Sequence, residues 1–285
     1  MNLVNMKQML IDAEKGHYAV PQFNVWNLEW ISAVLDECQE LQTPVILGVS
    51  QNGAKYMGGF YVVTQLIKAY IQKNNITIPV AIHLDHASSY EACKGAIDEG
   101  FTSVMIDASK HPFEENMAIT KKVVEYAHAR GISVESELGK IGGKEDQVIA
   151  ESFYANKDEC KTMVDETGID ALAPALGSVH GPYHGEPKLG FAEMQEISDL
   201  LGIPLVLHGG SGIHDDQFKM AIARGTSKIN INTECQQAWT AIVRKVLSEN
   251  DKVYDPRKII GPGREGIKEV VINKATVFGS LGKAE

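Results

Sequence analysis

The chain has 285 residues, 44% of them hydrophobic, 22% charged and 7% aromatic. That composition excludes a disordered, collagen-like or disulfide-scaffold protein. Thirty-seven acids against 27 bases give a net charge of −10, which argues against nucleic acid or an anionic membrane as partner; a small anion would have to be held by a few well-placed groups.

Short apolar runs recur at 18–23, 44–49, 79–84, 103–106, 133–137, 169–174, 204–207 and 228–231. Apolar residues on both faces suit strands of a parallel sheet covered by helices. Between them lie stretches with helical spacing, at 28–38, 60–71, 90–97, 118–129, 191–201, 216–223 and 236–247. In the first, Leu28, Ile31, Val34, Leu35 and Cys38 form one stripe, and Asn27, Ser88 and Asp215 stand where N-caps belong. Strands alternating with helices, without a linker or a low-complexity tract, predict an α/β fold: one (β/α)8 TIM barrel with a C-terminal helical extension, residues 1–285 forming a single domain. A doubly wound open sheet usually begins with GxGxxG after its first strand, where this chain has PQFNVWN.

Four cysteines (Cys38, Cys93, Cys160, Cys235) are spread singly and read as buried thiols in a reducing compartment. The opening MNLVNMKQML lacks the pattern of a secretory signal, and no apolar run approaches a membrane span. The expected location is the cytoplasm.

Barrel chemistry sits at the carboxyl ends of the strands. Those ends carry Asn24, Ser50, Asp85 with His86, Asp107, Glu137, His180 just past the sixth strand, His208, and Asn230 with Asn232. His17, His111, His128 and His214 fall in loops or helices and read as ordinary polar residues, while His83 is expected to pack within the barrel end. His86, His180 and His208 instead cluster on one rim; three neutral imidazoles with an open fourth position make a catalytic zinc site. Asp85 beside them is placed for general acid–base work, or for orienting an imidazole. Asp107 and Glu137 could hold a second metal position or orient the ligands.

HGGSG at 208–212 follows the seventh strand and NINT at 230–233 ends the eighth, where barrels bind phosphate through backbone N–H groups and helix N-termini. GSVHGPYHG at 177–185 supplies further backbone donors. The polar stretch 138–157, with LGKIGGKEDQ at its start, reads as a lid that could carry Glu145 into a closed site.

Together VPQFN, PVILGVS with YMGG, VAIHLDH, GFTSVMIDAS, HPFEEN, VESELG with GGKED, APALGSVHGPY, LVLHGGSGI, KININTE and YDPRK resemble the class II metal-dependent aldolases, specifically the type B fructose-bisphosphate aldolases, nearly end to end. The resemblance implies reversible cleavage of fructose 1,6-bisphosphate to dihydroxyacetone phosphate and glyceraldehyde 3-phosphate, a lyase reaction of glycolysis and gluconeogenesis. By position it assigns His86, His180 and His208 to a catalytic Zn2+, with Asp107 and Glu137 at a second or alternative metal position; a monovalent cation is a further candidate cofactor. It makes Asp85 the acid–base at the C4 hydroxyl and Glu145 the lid residue exchanging a proton with the enediolate carbon. Gly181, Gly209, Gly210, Ser211, Asn230, Ile231, Asn232 and Thr233 match the dihydroxyacetone-phosphate site, and Ser50 the glyceraldehyde-phosphate side. Arg257 of YDPRK resembles an arginine that reaches a neighbouring subunit's substrate, which implies a homodimer or homotetramer; Asp255-Pro256 is equally a good helix start.

Asn232 stands where the class IIA branch carries Asp, and His184 replaces a lysine frequent in relatives. Tagatose 1,6-bisphosphate, differing only at C4, is the rival substrate; members of that subgroup tend to lack counterparts of Asn232 and YMGG, which favours fructose. Two other readings remain: a Schiff-base aldolase using Lys228, and a non-enzymatic phosphosugar-binding or interaction barrel.

Overall fold

A computed structural model describes residues 3–145, 148–150, 154–181, 183 and 185–284, of which 142–145 and 148–150 by their backbone alone. The barrel strands are β1 (Val20–Asn24), β2 (Val45–Ser50), β3 (Val80–Ala87), β4 (Ser103–Ile106) and β5 (Ser133–Leu138). After them come two short strands, β6 (Gly142–Glu145) and β7 (Val148–Ala150), and then β8 (Ala171–Pro174), β9 (Val179–His180), β10 (Leu205–Leu207) and β11 (Thr226–Ile231). β1, β2, β3, β4, β5, β8, β10 and β11 hydrogen-bond in that cyclic order, all parallel, and β11 closes on β1. Each predicted strand overlaps an observed one with ends within two residues, except that β3 runs three residues further, to Ala87.

Strand alternation divides the side chains into an outer and an inner set. Phe23, Leu47, Ile82, Val104, Val134, Leu172 and Ile229 face outward into the main core beneath the helices. Val20, Ile46, Ala81, Ala171, Ala173 and Val206 form a separate inner cluster at the amino end of the barrel. The helix Met6–Lys15 plugs that end with Met6, Met9, Leu10 and Ala13. Their i, i+3, i+4, i+7 spacing makes one apolar face, and burying each large member contributes about 1.5–3 kcal/mol. Further along several strands the interior turns polar: Gln22 on β1 and His83 on β3, two residues beyond Val20 and Ala81, and Glu135 on β5 and Lys228 on β11 are each fully buried.

Two predicted caps move by one residue. Ser89, rather than Ser88, caps the helix Tyr90–Asp98 by accepting from Ala92 N–H, because Ser88 is bound to Gln51 at the start of the helix Gln51–Met57. His214 occupies the N-cap of the helix Asp215–Ile222, leaving Asp215 in the first turn, where its charge complements the helix dipole. Asn27 caps its helix as predicted, accepting from Trp30 N–H.

Two parts of the stretch expected to form a lid are strand. β6 pairs antiparallel with β7, and Gly142 and Gly143 pair in parallel with Val179 and His180 of β9. The small sheet thus ties the 138–150 segment to the strand bearing a predicted metal ligand. Glu145 ends β6, and its side chain lies outside the described residues, as do Pro182 and His184. Helices Thr233–Glu249, Pro256–Ile260 and Gly263–Val277 form the C-terminal extension, the first and last packing on each other and the last also on Leu28–Glu40.

Candidate metal and phosphate site

Asp85 and His86 are adjacent, so a regular strand would aim them at opposite faces. β3 solves this with one extra residue: its pairing with β4 slips between Leu84 and Ala87, and His86 takes φ +49°. A bulge with a left-handed non-glycine residue re-aims a side chain at a cost the surroundings must offset. Both Asp85 and His86 therefore reach the rim.

There the donor atoms of His86, Glu137, His180 and His208 all lie within 4.8 Å of one another. The ring centroids of His86 stand 5.0 Å from His180 and 4.7 Å from His208. Each of two rings is held from behind by a carboxylate. His86 Nδ1 donates to Asp107 Oδ2 at 3.0 Å, and His208 Nε2 donates to Glu135 Oε1 at 2.8 Å. These bonds fix the tautomers, leaving His86 Nε2 and His208 Nδ1, 2.9 Å apart, each with a lone pair. Two such lone pairs repel unless a cation draws both, so the donor set fits a divalent metal held by nitrogen and carboxylate. Burial pushes the His208 ring far below its ordinary range, and the nearby Lys228 ammonium adds to this. A neutral imidazole is the form that ligates.

The structure puts Asp107 behind His86, hydrogen-bonded to its ring and outside the group of four. Burial alone would raise its carboxyl, but the hydrogen bond and charge of His86, then two hydrogen bonds from Ser109, hold it well below the usual carboxylate range. Asp85 is 1% exposed. Its Oδ2 accepts from Asn24 Nδ2 at 2.9 Å, and its Oδ1 faces Asn230 Nδ2 at 3.5 Å. Burial pushes this carboxyl up, yet His86, Lys228 and His208 together with Asn24 more than offset it, so it rests below its ordinary value. It is an ionised base in a nearly dry setting.

A cleft of about 270 Å³ opens beside the cluster, lined at one end by Gly181, Gly209, Gly210, Ser211, Asn232 and Thr233. Ser50 and Trp26 line it too, with Asn24, His180, Asn230 and Gln236. Gly209 is required here: its φ is +64°, and a Cβ would stand 2.2 Å from the Val179 carbonyl oxygen. Tyr183 staples the same contact, accepting from Val179 N–H at 3.1 Å and donating to the Gly209 carbonyl at 2.9 Å. Ser211 Oγ accepts from Glu234 N–H, which leaves its hydroxyl proton to donate. With the N-terminus of the helix Thr233–Glu249 adjoining, this end of the cleft suits an anion.

One predicted contact, Ile231, is not brought to the cleft, and Arg257, expected at a neighbour's substrate, does not line it either. Ile231 points outward into the main core, as alternation after Asn230 demands. Arg257 is highly exposed and makes two hydrogen bonds to Asp255, at 3.1 and 2.9 Å. Sequence reasoning left Trp26, Gln236, Tyr183 and Glu135 unassigned. Glu135 was the legible one among them, since it sits two residues before Glu137 on the inward face of β5. Lys228 is fully buried, its Nζ 2.7 Å from Glu135 Oε2. It faces the polar belt beneath the cleft and does not line it.

Fold and site together define a (β/α)8 barrel enzyme with a metal-ligand cluster beside an anion pocket. A model of the fructose-bisphosphate aldolase class-II family matches residues 4–283, and the chain belongs to that family. It is 64% identical to the fructose-bisphosphate aldolase of Geobacillus stearothermophilus, over all of this chain and 99% of that protein. It is 59% identical to the fructose-bisphosphate aldolase of Staphylococcus aureus strain Mu50, over the full length of both. Among solved structures, the YdjI aldolase of Escherichia coli K12 superposes with a TM-score of 0.87 at 37% identity, covering 99% of this chain and all of that one.

Proposed function

We propose that the protein is a zinc-dependent lyase that reversibly cleaves fructose 1,6-bisphosphate to dihydroxyacetone phosphate and glyceraldehyde 3-phosphate. The observation that carries this is the convergence of His86, His180, His208 and Glu137 on one rim with Asp85 and the 209–211 loop. A zinc ion held by the three histidines would supply a Lewis acid at the ketose carbonyl, in a site whose nitrogen donors suit that ion. Ser211, Asn232, Thr233 and the glycine turns hold the phosphate on the ketone half, and Ser50 at the other end receives the aldehyde half. Asp85 takes the proton of the C4 hydroxyl as the C3–C4 bond breaks. Asn24 and Asn230 fix that carboxylate in place, so little reorientation is needed when the proton moves. Glu145, on the segment after β5, returns a proton to C3 of the three-carbon fragment.

The burial of Lys228 and its pairing with Glu135 speak against a Schiff base on that nitrogen. The exposed Arg257 has nothing to bind in its own cleft, which supports a homo-oligomer in which it enters a neighbour's site. Among the described residues, no helix is long and apolar enough to cross a membrane, in keeping with a cytoplasmic enzyme of glycolysis. Measuring kcat/KM for fructose and tagatose 1,6-bisphosphates tests the reading. A clear preference for fructose supports it, and a preference for the C4 epimer overturns the substrate assignment.

A further inference from the structure

Behind the anion end of the cleft stands a carboxylate, Glu234, which does not line the cleft but is bonded to the turn that does, and whose charge would oppose an incoming phosphate. Glu234, in the first turn of the helix Thr233–Glu249, accepts from Gly212 N–H through Oε1 at 2.9 Å. Its own backbone N–H donates to Ser211 Oγ at 3.2 Å. The acid is therefore stitched into the turn that presents Ser211 to the ligand. Gly212 has φ +95°, so the turn holds a conformation that this hydrogen bond helps to select.

The other oxygen of Glu234 is 2.8 Å from Lys274 Nζ. Lys274 comes from the C-terminal helix Gly263–Val277, far along the chain, and its side chain is 5% exposed against 26% for Glu234. A lysine is seldom buried this deeply without a specific partner. Its ammonium also lies 5.1 Å from the centre of the Phe218 ring. Lys274 does not line the cleft, and no step of the cleavage uses it.

We propose that Lys274 is a positioning residue for phosphate binding: by pinning and neutralising Glu234, it lets the 209–212 turn keep its shape while a dianion docks beside a carboxylate. This rests on the assignment of 209–211 and 232–233 to phosphate. Without the lysine, Glu234 either keeps its charge and opposes the phosphate or swings away and frees Gly212 N–H. Both outcomes weaken substrate binding more than they slow chemistry.

The test is steady-state kinetics on the metal-replete enzyme, with inorganic phosphate as a competing ligand. Lys274→Met should raise KM for fructose 1,6-bisphosphate and Ki for phosphate about tenfold, the loss expected for one charge-assisted interaction, while kcat stays within about twofold. Lys274→Arg, which keeps the charge, should stay near the parent values. Adding Glu234→Gln to Lys274→Met removes the offending charge but keeps an acceptor for Gly212, so it should recover most of the lost affinity. An unchanged KM in a folded Lys274→Met variant overturns the proposal, as does a double variant no better than Lys274→Met alone. Should Lys274→Met fail to fold, Lys274→Arg and the double variant carry the test: near-parent KM in both supports the proposal, and a tenfold rise in the double variant overturns it. Ser211→Ala separates this inference from the reading beneath it. If Ser211→Ala leaves phosphate inhibition unchanged, the phosphate assignment fails; if Ser211→Ala weakens it and Lys274→Met does not, only the role of Lys274 fails.

Discussion

Glu135 Oε1 accepts the Nε2–H of His208 at 2.8 Å from inside the barrel, so the ring meets the metal cluster through its other nitrogen. The same carboxylate holds Lys228 through Oε2 at 2.7 Å, and His83 Nε2 lies 3.7 Å from that oxygen. Glu135→Gln keeps the shape but removes the charge that fixes the tautomer of His208 and raises its basicity. Zinc affinity should fall about 10–100-fold, the usual consequence of losing a partner behind a ligating histidine. Competition with a chromophoric chelator measures it; unchanged affinity would show that His208 does not depend on Glu135.

Lys228 is fully buried against that same carboxylate. Lys228→Met leaves Glu135 in a dry setting without its cation, a change that typically costs about 3–5 kcal/mol. Denaturant unfolding reads the loss directly. Borohydride added during turnover should trap no substrate on the parent protein, whereas a covalent adduct at Lys228 would revive the Schiff-base mechanism.

The barrel was legible because strands of a covered parallel sheet are continuous apolar runs: 79–84 and 103–106 could hardly be anything else. The rim was legible because a run ending in Asp85-His86 or His208-Gly209 breaks its apolar pattern at the carboxyl end. The helix Met6–Lys15 carries an apolar stripe of Met6, Met9, Leu10 and Ala13, but it stands ahead of the first strand, outside the repeating strand–helix units. Lys157–Thr167 buries only Cys160, Met163 and Thr167, too little for periodicity to announce it. The small sheet joining Gly142 and Gly143 to Val179 and His180 depends on a pairing across more than thirty residues, which no local pattern encodes. Glu234 and Lys274 escaped notice for the same reason, since their meaning arises only when two distant helices meet.

On the proposed reading Asp85 takes the C4 proton, and the two side chains bonded to it, Asn24 and Asn230, are amides that could not replace it. Asp85→Ala should lower kcat by about 10²–10⁴-fold, the range for a positioned acid–base group, with zinc content unchanged by elemental analysis. Near-parent turnover would show that another group carries the proton.

Cys38, Cys93, Cys160 and Cys235 are all buried and unpaired. Burial pushes the Cys160 thiol up to about 12 and the other three higher still. Because the thiolate is the reactive form, a thiol-disulfide dye should label none of the four in the folded protein at pH 8 and all four in denaturant. Prompt labelling of the native state would contradict this packing.

The central claim is that the histidine rim holds the zinc on which cleavage depends. Protein stripped with a chelator and dialysed should show no measurable cleavage of fructose 1,6-bisphosphate in a coupled assay. Activity should return in proportion to added zinc and level off near about one equivalent per chain, as a single tetrahedral site requires. The same titration of His208→Ala should restore little. Full turnover by the stripped protein, or full recovery in His208→Ala, would contradict the account.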